Sequence, residues 1–250
     1  MLKKIFGSGS DTNFYDVTKR QLVIGWLVCI SFFVLTSHQV LEPILEQIFG
    51  NQNSDLIQII RFLSRECFLF VILSILFFAF LKKSILDTVK SKKLMTCAWT
   101  VAGYLLVRVA NTVTYCLIFG VARVLTGSFK LGQSVNQMEV QAFYSAHPVL
   151  FWVVAIALAP FVEEMIFRGI IFHTFRNMSK WLAVLGSSLL FGAVHVIPEL
   201  TSGNWLEAIK ILPYFATGLI LGLVYEHQKN IMPCIGIHML TEVIATIKLN

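Results

Sequence analysis

The sequence predicts an all-α, polytopic membrane helix bundle of about seven transmembrane helices, with an active site among the C-terminal four. Three observations carry that prediction. Mean hydropathy is +0.75 and only 14% of residues are charged, where a soluble domain carries about a quarter. Apolar runs of near 20 residues, the length that crosses a bilayer as a helix, recur along the whole chain. Apart from Arg108, the ionisable residues well inside those runs are Glu163, Glu164, Arg168, His195, His238 and Glu242, all in the C-terminal part.

Residues 1–21 read as a cytoplasmic N-terminal tail, flexible around Gly7-Ser8-Gly9-Ser10. The first apolar run starts after this polar stretch and continues too far for a cleaved signal peptide, so it is an anchor that stays. Residues 22–126 carry three N-terminal spans, near Leu22–Val40, Cys67–Leu81 and Leu94–Phe119. The second is short unless Leu56–Phe62 joins it, which draws Arg61, Arg65 and Glu66 into the helix. Residues 127–148, rich in Gln, Ser and Asn, read as a polar, non-cytoplasmic loop. Residues 149–247 hold four more spans, near Val149–Ile171, Trp181–Val196, Ala208–Tyr225 and Ile231–Ile247.

Orientation follows from charge. Of the 20 Lys and Arg, 13 fall on the side of the tail and the Lys82–Lys93 loop, 6 on the other, and Arg108 within a span. That excess places the N-terminus in the cytoplasm. A net charge of +6 distributed this way is the signature of a membrane face and not of a nucleic-acid binder. Cys29, Cys67, Cys97, Cys116 and Cys234 lack ligand spacing and read as buried apolar residues, neither a disulfide framework nor a zinc site.

A carboxylate at mid-membrane costs roughly 2.5–3.5 kcal/mol even on lenient insertion scales, so Glu163 and Glu164 need a reason to be there. Depth supplies one. At 1.5 Å per residue, Glu163 lies about 20 Å from Arg176, and His195 about 21 Å from Trp181. His238 and Glu242 lie about 14 and 20 Å from Lys229. Four polar groups from three helices therefore meet at similar heights. Glu164 and Arg168, four residues apart, share a helix face and can form an ion pair. Glu163 is turned about 100° away and keeps no partner on its own helix, which suits a general base. The small pair Gly192-Ala193 ahead of His195 lets another backbone approach. His238 and Glu242, one turn apart, suit either two ligands on one ion or a His oriented by a carboxylate.

Blander readings accompany each of these: a carboxylate pair that buttresses the bundle, or a His that donates between helices. Arg108 must face the bundle interior, a cavity or a carboxylate such as Glu163 or Glu164, as a structural ion pair or a binder of a substrate carboxylate. His38, His147, His173 and His227 lie near span ends and read as interfacial.

Glu163-Glu164-x-x-x-Arg168, then Phe191-x-x-x-His195, then His238 in the last helix together resemble the three-motif signature of the CAAX-protease and bacteriocin-processing (CPBP, or Abi) family of intramembrane proteases. The resemblance covers roughly residues 149–245. It implies Glu163 as the base that activates water, with His195 as its partner or a metal ligand. It further implies His238 as a ligand or oxyanion donor, with Glu164 and Arg168 as a supporting pair. Motif three in that family usually reads His-x-x-x-Asn, whereas this chain has Glu242. An ionised Glu242 opposes an oxyanion; alternatively His195, His238 and Glu242 form a His₂Glu set for Zn2+ with Glu163 left as base.

The function expected is an intramembrane endopeptidase of a bacterial cell membrane. Its partners are the lipid bilayer and a membrane-associated peptide or protein substrate, with no nucleic acid. Peptide maturation, regulation or bacteriocin self-immunity are the roles the resemblance implies. The alternative is a catalytically inactive relative acting as a membrane scaffold or immunity factor. A proton-coupled carrier also places carboxylates and His at mid-membrane, but the chain has no inverted repeat.

Overall fold

In the computed structural model, which describes residues 17–35, 41–49, 54–127, 135–201, 203 and 207–247, every regular element is a helix. Most of the expected tail, residues 1–16, and His38 lie outside the described residues. Helix α1 (Lys19–Leu35) occupies the first expected span. Its start is written locally: Thr18 Oγ1 accepts from Gln21 N at 3.2 Å, and Gln21 Oε1 accepts from Thr18 N at 2.9 Å. This reciprocal box satisfies donors that a helix N-terminus leaves open. A short helix, α2 (Leu41–Phe49), follows.

Leu56–Phe62 does join the second span, because α3 runs over Ser54–Leu76. Two of the charges that stood against this extension pair with each other: Arg65 Nε donates to Glu66 Oε1 at 2.8 Å, and Glu66 is buried. After Phe77 the chain continues as α4 (Phe78–Asp87), a π-helical stretch Thr88–Lys92, and α5 (Lys93–Thr126). The loop expected at Lys82–Lys93 is thus helical. The segment has no Gly or Pro to stop a helix, and its lysines mark a membrane side without breaking hydrogen bonds. At Lys92, with φ −124° and ψ 16°, the backbone leaves helical values. Asn230 secures this corner from across the bundle, its Nδ2 donating to Ser84 O and Thr88 Oγ1, each at 3.0 Å.

Gly127, at φ 73°, ends α5 in the left-handed conformation that glycine adopts without steric cost. Within the expected 127–148 loop lies a further helix, α6 (Val135–Ala146). Polar composition concealed an amphipathic pattern: Val140, Phe143 and Tyr144, spaced three and four apart, pack with Phe151, Ile156 and Val243.

Helix α7 (Pro148–Arg176) is the central element. Pro148 opens it where a missing N–H costs nothing. Two π-helical stretches, Trp152–Leu158 and Met165–Phe172, flank the short α-helical segment that holds Glu163 and Glu164. Pro160, which cannot donate to the ladder, accounts for the first. Helices α1, α3, α8 (Lys180–Val194), α10 (Ile211–Gln228) and α11 (Met232–Ile247) all pack on α7. The short α9 (Ile197–Thr201) and a 3₁₀ turn, Glu207–Lys210, lie between α8 and α10. Phe78–Leu125, Pro148–Arg176 and Ala208–Gln228 are long and apolar enough to cross a membrane, and α8 and α11 are shorter apolar helices.

Helix α5 runs antiparallel to α10: the Trp99 and His227 rings meet at 5.0 Å, and Asn111 bonds Thr217 at 3.3 Å twelve residues along. Cys29 and Cys234 are buried as expected, whereas Cys67, Cys97 and Cys116 are exposed on outward helix faces. Lipid is as apolar as a leucine side chain, so these helices associate through close packing and polar contacts. Between α8 and α10 the two backbones themselves come close. A Cβ on Gly218 meets Ser188 Cα at 3.0 Å and Ser188 O at 3.2 Å, and one on Gly192 meets Ile211 O and Phe215 N at 3.1 Å. Because backbone atoms oppose the added methyl, Gly218→Ala is expected to destabilise the protein by roughly 1–3 kcal/mol, read as a lowered melting temperature in detergent.

Candidate active site

Glu164 and Arg168 form the buried floor of the site, both side chains fully inaccessible. Arg168 Nη1 donates to Glu164 Oε1 at 2.9 Å and Nη2 to Gly218 O at 3.0 Å. The four-residue spacing thus produces the expected pair, and the close α8–α10 packing supplies the carbonyl that completes it. The Arg168 guanidinium also lies 5.3 Å over the Phe191 ring, a favourable cation–π distance.

Glu164 Oε1 carries a second contact, to His238 Nδ1 at 3.1 Å. With Glu164 charged against Arg168, that nitrogen is the donor, which leaves His238 Nε2 directed elsewhere. It lies 3.9 Å from Glu163 Oε2. His195, at the C-terminal end of α8, is fixed in the same manner. Its Nδ1–H donates to the Phe191 carbonyl at 2.7 Å, and its Nε2 lies 3.8 Å from the same Glu163 oxygen. Two imidazoles from two helices therefore converge on one carboxylate oxygen, at distances too long for direct hydrogen bonds and short enough for one water to reach all three. Glu163 Oε2 has no hydrogen-bond partner, while the side chain is 30% exposed. The neighbouring glutamates are thereby separated: Glu164 is fully buried and bonded through Oε1 to Arg168 and His238, whereas the Glu163 side chain is partly exposed although its Oε2 is buried.

Aromatic rings hold the imidazoles. The His195 ring stacks on Tyr214 at 4.4 Å and 20°, and Phe191 lies 4.7 Å from it and 5.7 Å from His238. Phe191 was visible as part of its motif; Tyr214 was not, since one tyrosine in an apolar span carries no spacing signal. Glu66, also unremarked as a site residue, is close enough to Glu163 to interact electrostatically with it.

The proposed His195, His238 and Glu242 ligand set does not come together. Among the described residues no three His, Cys, Asp or Glu side chains are arranged to hold a metal ion. The physical reason is that Glu163, not Glu242, is the carboxylate set between the two Nε2 atoms, which the bonds of both Nδ1 atoms leave free. Glu242 is half-buried one turn beyond His238, within electrostatic range of His238 and Glu163.

The remaining sequence candidates fall outside the site. Arg108 pairs with neither Glu163 nor Glu164. His173, expected at the interface, is buried: its Nδ1–H donates to Gly169 O at 2.8 Å and its Nε2 accepts from the Tyr225 hydroxyl at 3.0 Å. It ties α7 to α10. His227 packs on Trp99, and His147 on Phe143.

Fold and site define a class: a polytopic helical membrane protein whose bundle holds an unpaired glutamate between two oriented histidines. The resemblance drawn from the three motifs is borne out, since residues 145–244 match the family described as type II CAAX prenyl endopeptidase Rce1-like. The chain is 26% identical over 151 residues to "Putative membrane peptidase YdiL" of Bacillus subtilis (strain 168), covering 58% of this chain and 53% of that protein. It is 30% identical over 162 residues to "Membrane-embedded CAAX protease MroQ" of Staphylococcus aureus (strain USA300), covering 61% and 58%. An uncharacterized protein of Mycoplasma capricolum is 26% identical over 152 residues, covering 60% and 43%. The matches therefore span about half the length of these curated relatives. No solved structure matches.

Proposed function

We propose that the protein is an intramembrane endopeptidase that hydrolyses a peptide bond of a membrane-associated peptide or protein with water activated by Glu163. The observation that carries this reading is the buried, unpaired Oε2 of Glu163 facing two histidine Nε2 atoms. Glu163 takes a proton from water as the oxygen attacks the scissile carbonyl. His238, held between two carboxylates, donates from Nε2 in its protonated form to the oxygen that becomes an oxyanion. His195, with Nδ1–H committed to Phe191, uses Nε2 to pass the water-derived proton to the leaving nitrogen as the C–N bond breaks. Glu164 and Arg168 touch no substrate; they position His238. Burial strengthens each of these interactions by excluding competing water.

The relatives support the substrate class: one is named "Membrane-embedded CAAX protease" and another "Putative membrane peptidase", consistent with a peptide or protein anchored in the membrane. Maturation or regulation of such peptides, or self-immunity to a bacteriocin, are the roles this chemistry serves. The bias of Lys and Arg supports a cytoplasmic N-terminus.

Detergent-purified protein, assayed against membrane-anchored peptides and for bound metal, tests the reading. Wild type cleaves without stoichiometric metal, and Glu163→Ala and His195→Ala do not cleave. Stoichiometric zinc that Glu242→Asn loses overturns the metal-free mechanism. Cleavage seen only in Glu242→Asn overturns the enzyme and leaves a scaffold or immunity factor with a switched-off site.

A further inference from the structure

Arg108, in the middle of an apolar helix, has no counter-charge among the described residues. It lies 15 residues from Lys93 and 15 from Arg123, the basic residues near the two ends of α5, about 22 Å from each. Those ends match the half-thickness of a bilayer with its headgroups, about 20–22 Å, so Arg108 sits at the midplane. A side chain there is too short to cross the roughly 15 Å of hydrocarbon to a headgroup. Yet the half-buried Arg108 side chain makes no hydrogen bond or ion pair among the described residues; its carbonyl alone is engaged, by Thr112 Oγ1 at 2.9 Å.

The surroundings say which way it faces. The Phe78–Leu125 segment, which includes α5, is far less buried inside the protein than the other two long spans, so it is peripheral. Leu105 and Val109 beside Arg108 are 56% and 63% exposed. Tyr104, Arg108, Thr112 and Tyr115 fall within about 80° of one another around the helix, four and three residues apart. They form one polar stripe, flanked on one side by Asn111, which bonds Thr217 of α10, and on the other by the exposed Leu105 and Val109. The Tyr104 and Tyr115 hydroxyls also have no hydrogen-bond partner among the described residues. Isolated charge at this depth is unfavourable and a lipid phosphate is out of reach, and a carboxylate on a neighbouring membrane helix is the charge complement that relieves it.

We propose that the Tyr104–Arg108–Thr112–Tyr115 stripe is a docking surface for a partner transmembrane helix that carries an Asp or Glu at its midpoint. The two tyrosine hydroxyls bond polar atoms one turn or more to either side of that carboxylate, which fixes the partner's height as well as its charge. This surface lies on α5, which contributes none of the site's Glu or His, so it is separate from the Glu163 site.

The probe is a single-span Leu/Ala peptide with lysine ends and a central Glu, compared with its Gln twin. Each is co-reconstituted with the full chain in phosphatidylcholine/phosphatidylglycerol vesicles, and association is read by resonance energy transfer. The Glu peptide associates with wild type about tenfold more strongly than the Gln peptide, the size of one interhelical polar contact in a bilayer. Arg108→Gln removes the preference and Arg108→Lys retains it; Arg108→Glu transfers it to a peptide with a central Lys. Melting curves in detergent verify that each variant is folded. Equal association of the two peptides with wild type overturns the proposal. So does a Glu preference that survives Arg108→Gln, which puts the peptide elsewhere on the protein.

Discussion

Glu163→Gln is expected to lower peptide cleavage by about 10²–10⁴-fold, the usual contribution of a positioned general base, while leaving the protein as stable as wild type. The amide matches the carboxylate in size and still accepts hydrogen bonds, but it cannot take a proton from water. Stability is indifferent because Glu163 Oε2 has no hydrogen-bond partner to lose, and both imidazoles lie beyond hydrogen-bond distance. The melting temperature in detergent, set beside turnover, makes the comparison. Loss of both together contradicts the assignment, because it makes Glu163 a structural residue.

Arg168→Leu is expected to act in the opposite manner, destabilising the fold by roughly 3–5 kcal/mol. It leaves the Glu164 carboxylate buried without its counter-charge and the Gly218 carbonyl without a donor, in a place where neither meets water. Activity falls with it, since Glu164 also holds His238. Joint replacement of Glu164 and Arg168 by Leu is expected to cost less than the sum of the two single changes, because the charges leave together. Denaturation in mixed micelles of the two single variants and the double one measures that coupling. Strict additivity would mean that the pair does not act as a unit.

The membrane bundle was legible because hydropathy and length act span by span, without reference to tertiary structure. Glu164–Arg168 was legible because four-residue spacing dictates proximity on any helix. The convergence of Glu163, His195 and His238 was legible only as similar depth, which measures height and not azimuth. That limit explains Glu242. Its spacing from His238 gives a shared face, but which carboxylate stands between the imidazoles depends on how α7 and α11 rotate against each other. Polar composition misled twice, at Lys82–Lys93 and at residues 127–148. In both places a helix forms because Gly and Pro are absent from it, and polar side chains on a helix need only a polar side to face. Tyr214 and the Gly218 carbonyl belong to partners distant in sequence, and no local pattern announces them.

The most direct test is cleavage of a membrane-anchored peptide by protein reconstituted in vesicles of ¹⁸O-water, wild type beside Glu163→Gln, with the products read by mass spectrometry. Wild type should yield two fragments with one ¹⁸O in the new carboxyl terminus, and Glu163→Gln should yield almost none. Fragments formed at the wild-type rate by Glu163→Gln, or without ¹⁸O, would contradict a water activated by Glu163.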